Sequence, residues 1–263
     1  MESKKRHPLD SLSRRDMLRL GAAGVVASSG MESIARAVGQ CAQSPAQTAG
    51  PYWVDEMLNR CDIRTDPTSR LAQPGLPLRL ALNISEFDGS NCTPMSDAVV
   101  DIWHANAYGV YSDVSDQGTV GERWLRGYQL TDDHGNVKFL TNYPGWYQGR
   151  TIHVHFRVRR FSGKTTTLNF VSQLYFDDAM TADVFDNEAP YNKRMKPITV
   201  NANDGIFTTQ LQVSGNYDGQ EAVATFNAVV NTSTAALSDA TPEDPDGDHY
   251  QDFGGGTPQL EAH

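Results

Sequence analysis

The chain has 263 residues, of which 39% are hydrophobic and 21% are charged, and its formal net charge is −10. That hydrophobic content excludes a globally disordered chain, and the length fits one large domain or two small ones. The negative charge argues against nucleic acid as a partner, because phosphate binding needs clustered cations.

The first 37 residues predict an export signal. The string SRRDMLRL, at Ser13–Leu20, resembles the twin-arginine signal, a short apolar run follows it, and ARA at residues 35–37 offers a cleavage site. The apolar run is too short to cross a bilayer. We therefore expect a periplasmic or extracellular protein without stable membrane association after cleavage. A basic amphipathic tail or an anchor is the alternative.

Residues 38–75 predict an extended N-terminal arm, since they are rich in Pro, Gly, Ser and Asp without a sustained period. The chain has three cysteines, Cys41, Cys61 and Cys92. In an oxidising compartment they allow one disulfide and one free thiol, and the sequence leaves the pairing open.

Residues 76–232 predict the main domain, an antiparallel β-sandwich of the all-β class. No long stretch has helical period, short helical turns are predicted only within residues 177–195, and turn signals recur at the spacing of a sandwich or barrel. Strands are predicted at Leu78–Ile84, Ala98–Ala105, Trp124–Asp132, Val137–Thr141, Ile152–Val158 and Thr165–Phe176, with a last hairpin over 198–215 and an edge strand over 224–230. Residues 233–263 are acidic and predict a disordered tail.

The stretch NYPGWYQGRTIHVHF, at Asn142–Phe156, carries the most chemistry. In its final strand, alternate residues point the same way, so His153 and His155 project together. Tyr111 and Tyr147 lie near turns before this pair, and Arg150 precedes it by three residues. A strongly Lewis-acidic ion such as Fe(III) can deprotonate tyrosine, whose pKa is ordinarily near 10. Phenolate and imidazole together favour ferric iron over zinc or magnesium.

Four motifs, WHANAYGVY, RGYQLTD, YPGWYQGRTIHVHF and SQLYFDD, occur in this order, and the chain resembles the intradiol ring-cleavage dioxygenases, the exported single-domain branch in particular. The resemblance runs from about Thr48 to Val230. It implies a β-sandwich that holds one non-haem Fe(III). The residues that match the family's functional positions are the metal ligands Tyr111, Tyr147, His153 and His155, the charge-stabilising Arg150 and the pocket residue Gln173.

The resemblance also implies a reaction in which a catechol and O2 yield a cis,cis-muconate-type diacid, with Tyr147 as general base. Only Gln148 and Gly149 separate Tyr147 from Arg150, a shorter loop than the cytoplasmic members carry, which predicts a more open pocket. An acidic chain gives a charged benzoate no long-range attraction, so neutral or bulky catechols are favoured. Tyr108 and Tyr143 are expected to pack or line walls, and Tyr52 to lie at the pocket mouth.

Three alternatives remain from the residues alone. A secreted β-sandwich could bind a metal or ligand without turnover, with the tyrosines as ordinary core residues. A zinc hydrolase could use His153 and His155, although no carboxylate has convincing ligand spacing. An extradiol dioxygenase would need Fe(II) with two histidines and a carboxylate. The oligomeric state is left open.

Overall fold

The computed structural model describes residues 41–233. Of these, residues 43–233 belong to one compact unit. The predicted export signal and all but the first residue of the predicted acidic tail lie outside the described residues. Between residues 41 and 233, no helix is both long and apolar enough to span a membrane.

Two β-sheets make up the domain, as the sequence predicts. Nine strands and one helix are described: β1 Pro77–Phe87, β2 Cys92–Pro94, β3 Val99–Trp103, β4 Arg126–Leu130, β5 Asn136–Asn142, β6 His153–Ser162, β7 Thr165–Tyr175, α1 Asp178–Asn187, β8 Ser214–Tyr217 and β9 Ala222–Asn231. One sheet has the order β2-β1-β9-β8, with β5 also paired to β1, and the other has the order β4-β3-β6-β7. The predicted all-β sandwich is confirmed. One pairing departs from the antiparallel pattern, because β1 and β9 run parallel.

The core between the sheets follows from the period-2 alternation of the strands. Leu80 and Leu82 of β1 and Val154 and Phe156 of β6 are at most 1% exposed. Burial of each such side chain stabilises the fold by roughly 1.5–3 kcal/mol. The even-numbered residues of β6 therefore belong to the core, and its odd-numbered residues point to the opposite face.

The C-terminal part of the domain differs from the prediction in two places. The predicted hairpin over 198–215 is wrong, because short 3-10 turns occupy Asn201–Asn203 and Thr209–Leu211 before β8 begins. The Asp204 side chain accepts a bond from the nearby Ile206 N–H, a local contact that favours turns over a strand ladder. The predicted edge strand is β9, and it lies between β1 and β8.

The N-terminal arm crosses the outer face of the β3-β6 sheet. Its described residues form isolated bridges and no long strand, and backbone bonds such as that from Gln47 N to Val171 O at 2.9 Å attach them to the sheets. Cys41 and Cys92 are disulfide-bonded. Cys61 is a free thiol.

Candidate metal centre

The two histidines of β6 lie together on its outer face. His153 and His155 are 3% and 2% exposed, and their ring centroids are 4.8 Å apart. The strand register places His155 opposite Trp103 of β3, and the two rings stack at 4.9 Å with an interplanar angle of 9°. Local alternation along β6 thus aims both imidazoles at one point, and the neighbouring strand fixes the second ring.

Two glycines bring the tyrosine loops together. A Cβ at Gly109, which has a φ of +80°, would lie 2.1 Å from the Trp146 carbonyl oxygen. A Cβ at Gly145 would lie 2.4 Å from the Asn106 carbonyl oxygen. Only glycine permits these backbone approaches. They hold the loop of Tyr111 against the loop of Tyr147.

Both tyrosine hydroxyls converge on the Nε2 atom of His153. The distance from that atom is 3.0 Å to the Tyr147 hydroxyl and 3.4 Å to the Tyr111 hydroxyl. On the other side of the ring, His153 Nδ1 lies 2.7 Å from the Thr151 carbonyl oxygen. Because a carbonyl can only accept, Nδ1 donates, and Nε2 presents its lone pair to the two phenols.

Burial sets the protonation of this cluster. It lowers the pKa of His153 to about 3, aided by the positive charge of Arg150. Burial also lowers the pKa of His155 well below its usual value and raises those of Tyr111 and Tyr147. At neutral pH the protein alone therefore holds two neutral imidazoles and two protonated phenols.

These four side chains fit a trivalent metal ion. Buried His155 Nδ1 has no hydrogen-bond partner in the described part of the chain. Neutral imidazole and deprotonable phenol are the borderline and hard donors that ferric iron accepts, and a bound cation would stabilise the phenolates that burial disfavours. Among residues 41–233, no three His, Cys, Asp or Glu side chains gather as a metal site. The histidines have phenols as neighbours instead of carboxylates.

Arg150 enters the cluster through a tight turn. Gln148 and Gly149 form that turn, which is closed by Arg150 N donating to Tyr147 O at 3.4 Å. The guanidinium donates through Nε to Asp204 at 2.9 Å and through Nη2 to the Gln173 side-chain oxygen. The spacing of these residues in the sequence therefore places the cation directly beside Tyr147.

Gln173 is fixed from both ends of its amide. It lies opposite His155 in the β6-β7 register, and its Nε2 donates to the Thr48 carbonyl oxygen at 3.0 Å. Its oxygen is thereby turned toward Arg150. The structure thus brings together all six residues that the sequence singled out: Tyr111, Tyr147, Arg150, His153, His155 and Gln173.

Other aromatic and acidic residues complete the surroundings. Tyr52, expected at the pocket mouth, stacks on Tyr111 with ring centroids 4.5 Å apart. Tyr143 is buried in the inter-sheet core and is hydrogen-bonded to Thr181, and Tyr108 is 47% exposed. Asp204 was missed, because it follows Arg150 by 54 residues in a segment that carries no motif.

Comparison with known proteins assigns the class. A dioxygenase family model matches residues 48–189, more than half of the chain. An intradiol ring-cleavage dioxygenase from Tetranychus urticae superposes with a TM-score of 0.63 at 27% identity, covering 74% of this chain and 98% of that one. The chain belongs to the intradiol dioxygenase family.

Two further relatives bear on the comparison. The dioxygenase domain of a dioxygenase carbohydrate-binding protein fusion from Streptomyces sp. SirexAA-E has a TM-score of 0.53 at 25% identity, covering 72% of this chain and 99% of that one. A chlorocatechol 1,2-dioxygenase from Pseudomonas putida is 33% identical over 104 residues, which are 32% of this chain. The match spans only 39% of that relative's length.

Proposed function

We propose that the protein is a non-haem Fe(III)-dependent intradiol dioxygenase that cleaves catechol-type diols with O2 to cis,cis-muconate-type diacids. The observation that carries the proposal is the convergence of the Tyr111 and Tyr147 hydroxyls on the bare Nε2 of His153, beside His155. Membership of the intradiol family supports the reaction class. The named activity of the Pseudomonas putida relative supports a catechol as substrate.

Tyr111, Tyr147, His153 and His155 would hold the iron. When bound, ferric iron supplies the positive charge that lowers the pKa of the phenols and the Lewis acidity that activates a catechol toward O2. Neutral histidines favour binding, because an imidazole must lose its proton before it can act as a ligand. The pKa of His153 near 3 keeps that proton off at any physiological pH.

The two tyrosines differ in how freely their side chains can move, and on that basis we assign them different roles. Tyr111 is 1% exposed, and its backbone N–H donates to the Gln117 side chain. Tyr147 is half-buried and stands at the start of the exposed Gln148-Gly149 turn. Tyr147 is therefore the phenol that can swing away and accept a catechol proton at its hydroxyl oxygen as general base. Tyr111 remains in place.

Arg150 and Gln173 act on the substrate ring. The guanidinium stays charged at every relevant pH and is fixed beside Tyr147, so it stabilises the negative charge that develops on the ring as O2 attacks. The Gln173 side-chain oxygen accepts a hydrogen bond from Nη2 of that guanidinium and thereby fixes its orientation. Both oxygen atoms of O2 enter the product, and the bond between the two hydroxylated carbons breaks.

The proposal includes export by the twin-arginine route to the periplasm or the outside of the cell. Its support is the SRRDMLRL string and the apolar run that follows it. Fractionation of cells that express the full chain, with Arg14→Lys and Arg15→Lys together as the comparison, tests it. Equal cytoplasmic retention of both proteins would contradict export.

Loading with ferric iron tests the enzymatic function. We expect one iron per chain, a visible tyrosinate absorption band that shifts with catechol, O2 uptake, and a muconate-type diacid by mass spectrometry. A colourless protein that binds no iron and consumes no O2 would favour a binding module. A semialdehyde product, from cleavage beside the diol, would favour an extradiol enzyme.

A further inference from the structure

Asp204 is the least exposed charged group at the site. Its side chain is 0% exposed, and that of its partner Arg150 is 19% exposed. One carboxylate oxygen accepts from Arg150 Nε and from Thr151 N, both at 2.9 Å. The other accepts from Ile206 N at 3.0 Å. Three donors on two oxygens leave this carboxylate one orientation.

The same contacts give Arg150 one orientation. With Nε bound to Asp204, its Nη2 points to the Gln173 oxygen and lies 3.3 Å from the Tyr175 hydroxyl. Burial alone would raise the pKa of Asp204, but the amide bonds from Ile206 and Thr151 and the charge of Arg150 lower it. The carboxylate is therefore ionised, and the pair carries no net charge.

Two other arginines near the centre are hydrogen-bonded to backbone carbonyl oxygens. Arg126 is buried and donates through Nε and Nη2 to the Ser112 carbonyl oxygen. Arg194 donates to Ala107 O and lies over the Trp146 ring at 5.5 Å. Arg150 is the arginine beside Tyr147, and its charge is the one that Asp204 compensates.

We propose that Asp204 is a positioning residue that holds Arg150 in place and cancels its charge, so that the site selects catechols without a ring carboxylate. The inference rests on the proposed function and narrows its substrate class. A carboxylate brought into a buried site loses water and needs a cation in return. Because Asp204 already balances the charge of Arg150, the pair attracts a ring carboxylate less than an unpaired arginine would.

Asp204→Asn tests the proposal, since it keeps the shape of the side chain and removes its charge. Two substrates of similar size, 4-methylcatechol and 3,4-dihydroxybenzoate, differ by one carboxylate. For the wild-type holoenzyme we expect kcat/KM to favour 4-methylcatechol by about tenfold or more, and Asp204→Asn to reduce that ratio by about fivefold. The turnover number should fall more than KM changes, because Arg150 loses its anchor.

Matched controls separate charge from structure. Asp62→Asn removes an identical charge from another Asp–Arg pair, with Arg64 at 2.7 Å, and should leave the substrate ratio unchanged. Asp204→Glu keeps the charge, so the ratio should stay at the wild-type value even if turnover falls. Iron content should be equal in all variants.

A binding measurement makes the result independent of turnover. Shifts of the visible band under anaerobic conditions give the Kd of each compound, and the Kd ratio should change in parallel with kcat/KM. If Asp204→Asn does not fold, Arg150→Gln serves instead, and there 3,4-dihydroxybenzoate should bind about fivefold weaker relative to 4-methylcatechol.

Two results would overturn the inference. One is a wild-type preference for 3,4-dihydroxybenzoate, and the other is a Kd ratio that neither charge-removing variant changes. A wild-type protein that binds both compounds without O2 uptake would contradict the proposed function instead, and the Kd ratios would still decide the role of Asp204.

Discussion

One face of β6 carries two buried polar groups, a histidine pair and an arginine paired with aspartates, and their neighbours differ in charge. At its start, His153 and His155 are kept neutral by burial, and their neighbours are phenols. Farther along, Arg159 is 6% exposed and is paired with Asp101, with contacts at 2.9–3.0 Å, and with Asp55 of the N-terminal arm. The burial is the same, but the partners differ.

From this difference we infer that the arginine end of β6 stabilises the fold and that the histidine end serves binding. At the arginine end the protein supplies the counter-charges itself, and Trp53 covers Arg157 at 4.1 Å. At the histidine end, the lone pair of His153 Nε2 meets two hydroxyls, and His155 Nδ1 has no hydrogen-bond partner among the described residues, which is the arrangement that the proposed ferric iron would occupy. Four predictions follow this contrast from its largest effect to its smallest.

Removal of a donor at the histidine end should abolish function with little loss of stability. His153→Ala takes away the atom on which both phenols converge, and we expect iron content to collapse and turnover to fall by more than about 100-fold. Iron analysis and O2 uptake measure this, with thermal unfolding as the control. Full iron occupancy in the variant would contradict the ligand assignment.

Loss of one hydroxyl should distinguish the two tyrosines. Tyr147→Phe should retain iron but lower kcat by about 100-fold, because the general base is gone. Tyr111→Phe is the matched variant, and we expect it to lose both iron and activity. Steady-state kinetics beside iron content measure the difference. Unchanged kinetics in Tyr147→Phe would rule out its role as base.

At the arginine end the effect should be the reverse. Asp101→Ala leaves the buried Arg159 guanidinium with only the half-exposed Asp55, and such a loss costs about 3 kcal/mol of unfolding free energy. Urea denaturation measures it. Iron content per folded chain should stay at the wild-type level, and a selective loss of iron would mean that the two ends are not independent.

The smallest expected effect concerns Glu56, on the N-terminal arm. Burial, followed by the negative charge of Asp113, raises its pKa from 4.5 to about 7. A carboxyl with a raised pKa contributes stability that is complete below pH 4.5 and is lost as the pH rises through 7. Glu56→Gln removes this dependence.

Because Glu56 is only partly buried, solvent screening reduces the expected difference between wild type and Glu56→Gln to about 1 kcal/mol. Urea denaturation at pH 5 and pH 8 measures this difference. We expect the free energy of unfolding of Glu56→Gln to rise relative to that of the wild type only at pH 8. An equal difference at both values would mean that Glu56 does not titrate in this range.

The strands and the histidine pair could be predicted because they depend on neighbours in the chain. Period-2 alternation is a property of the extended backbone, so Val154 and Phe156 had to face one way and His153 and His155 the other. The Gln148-Gly149 spacing similarly implied that Arg150 follows Tyr147 closely. Motif order then pointed to the correct family and to Tyr111 and Gln173.

What the tertiary structure decided depends on segments far apart in the chain. Period-2 alternation is typical of a half-buried strand, but the arm covers the polar face of β6, so both faces are buried over most of its length. The parallel pairing of β1 with β9 and the contact of Asp204 with Arg150 join residues more than 50 positions apart. Local backbone geometry determines which way a side chain points. Only the packing of remote segments decides what it meets there, and thus whether an imidazole is solvated, paired or left ready for a metal.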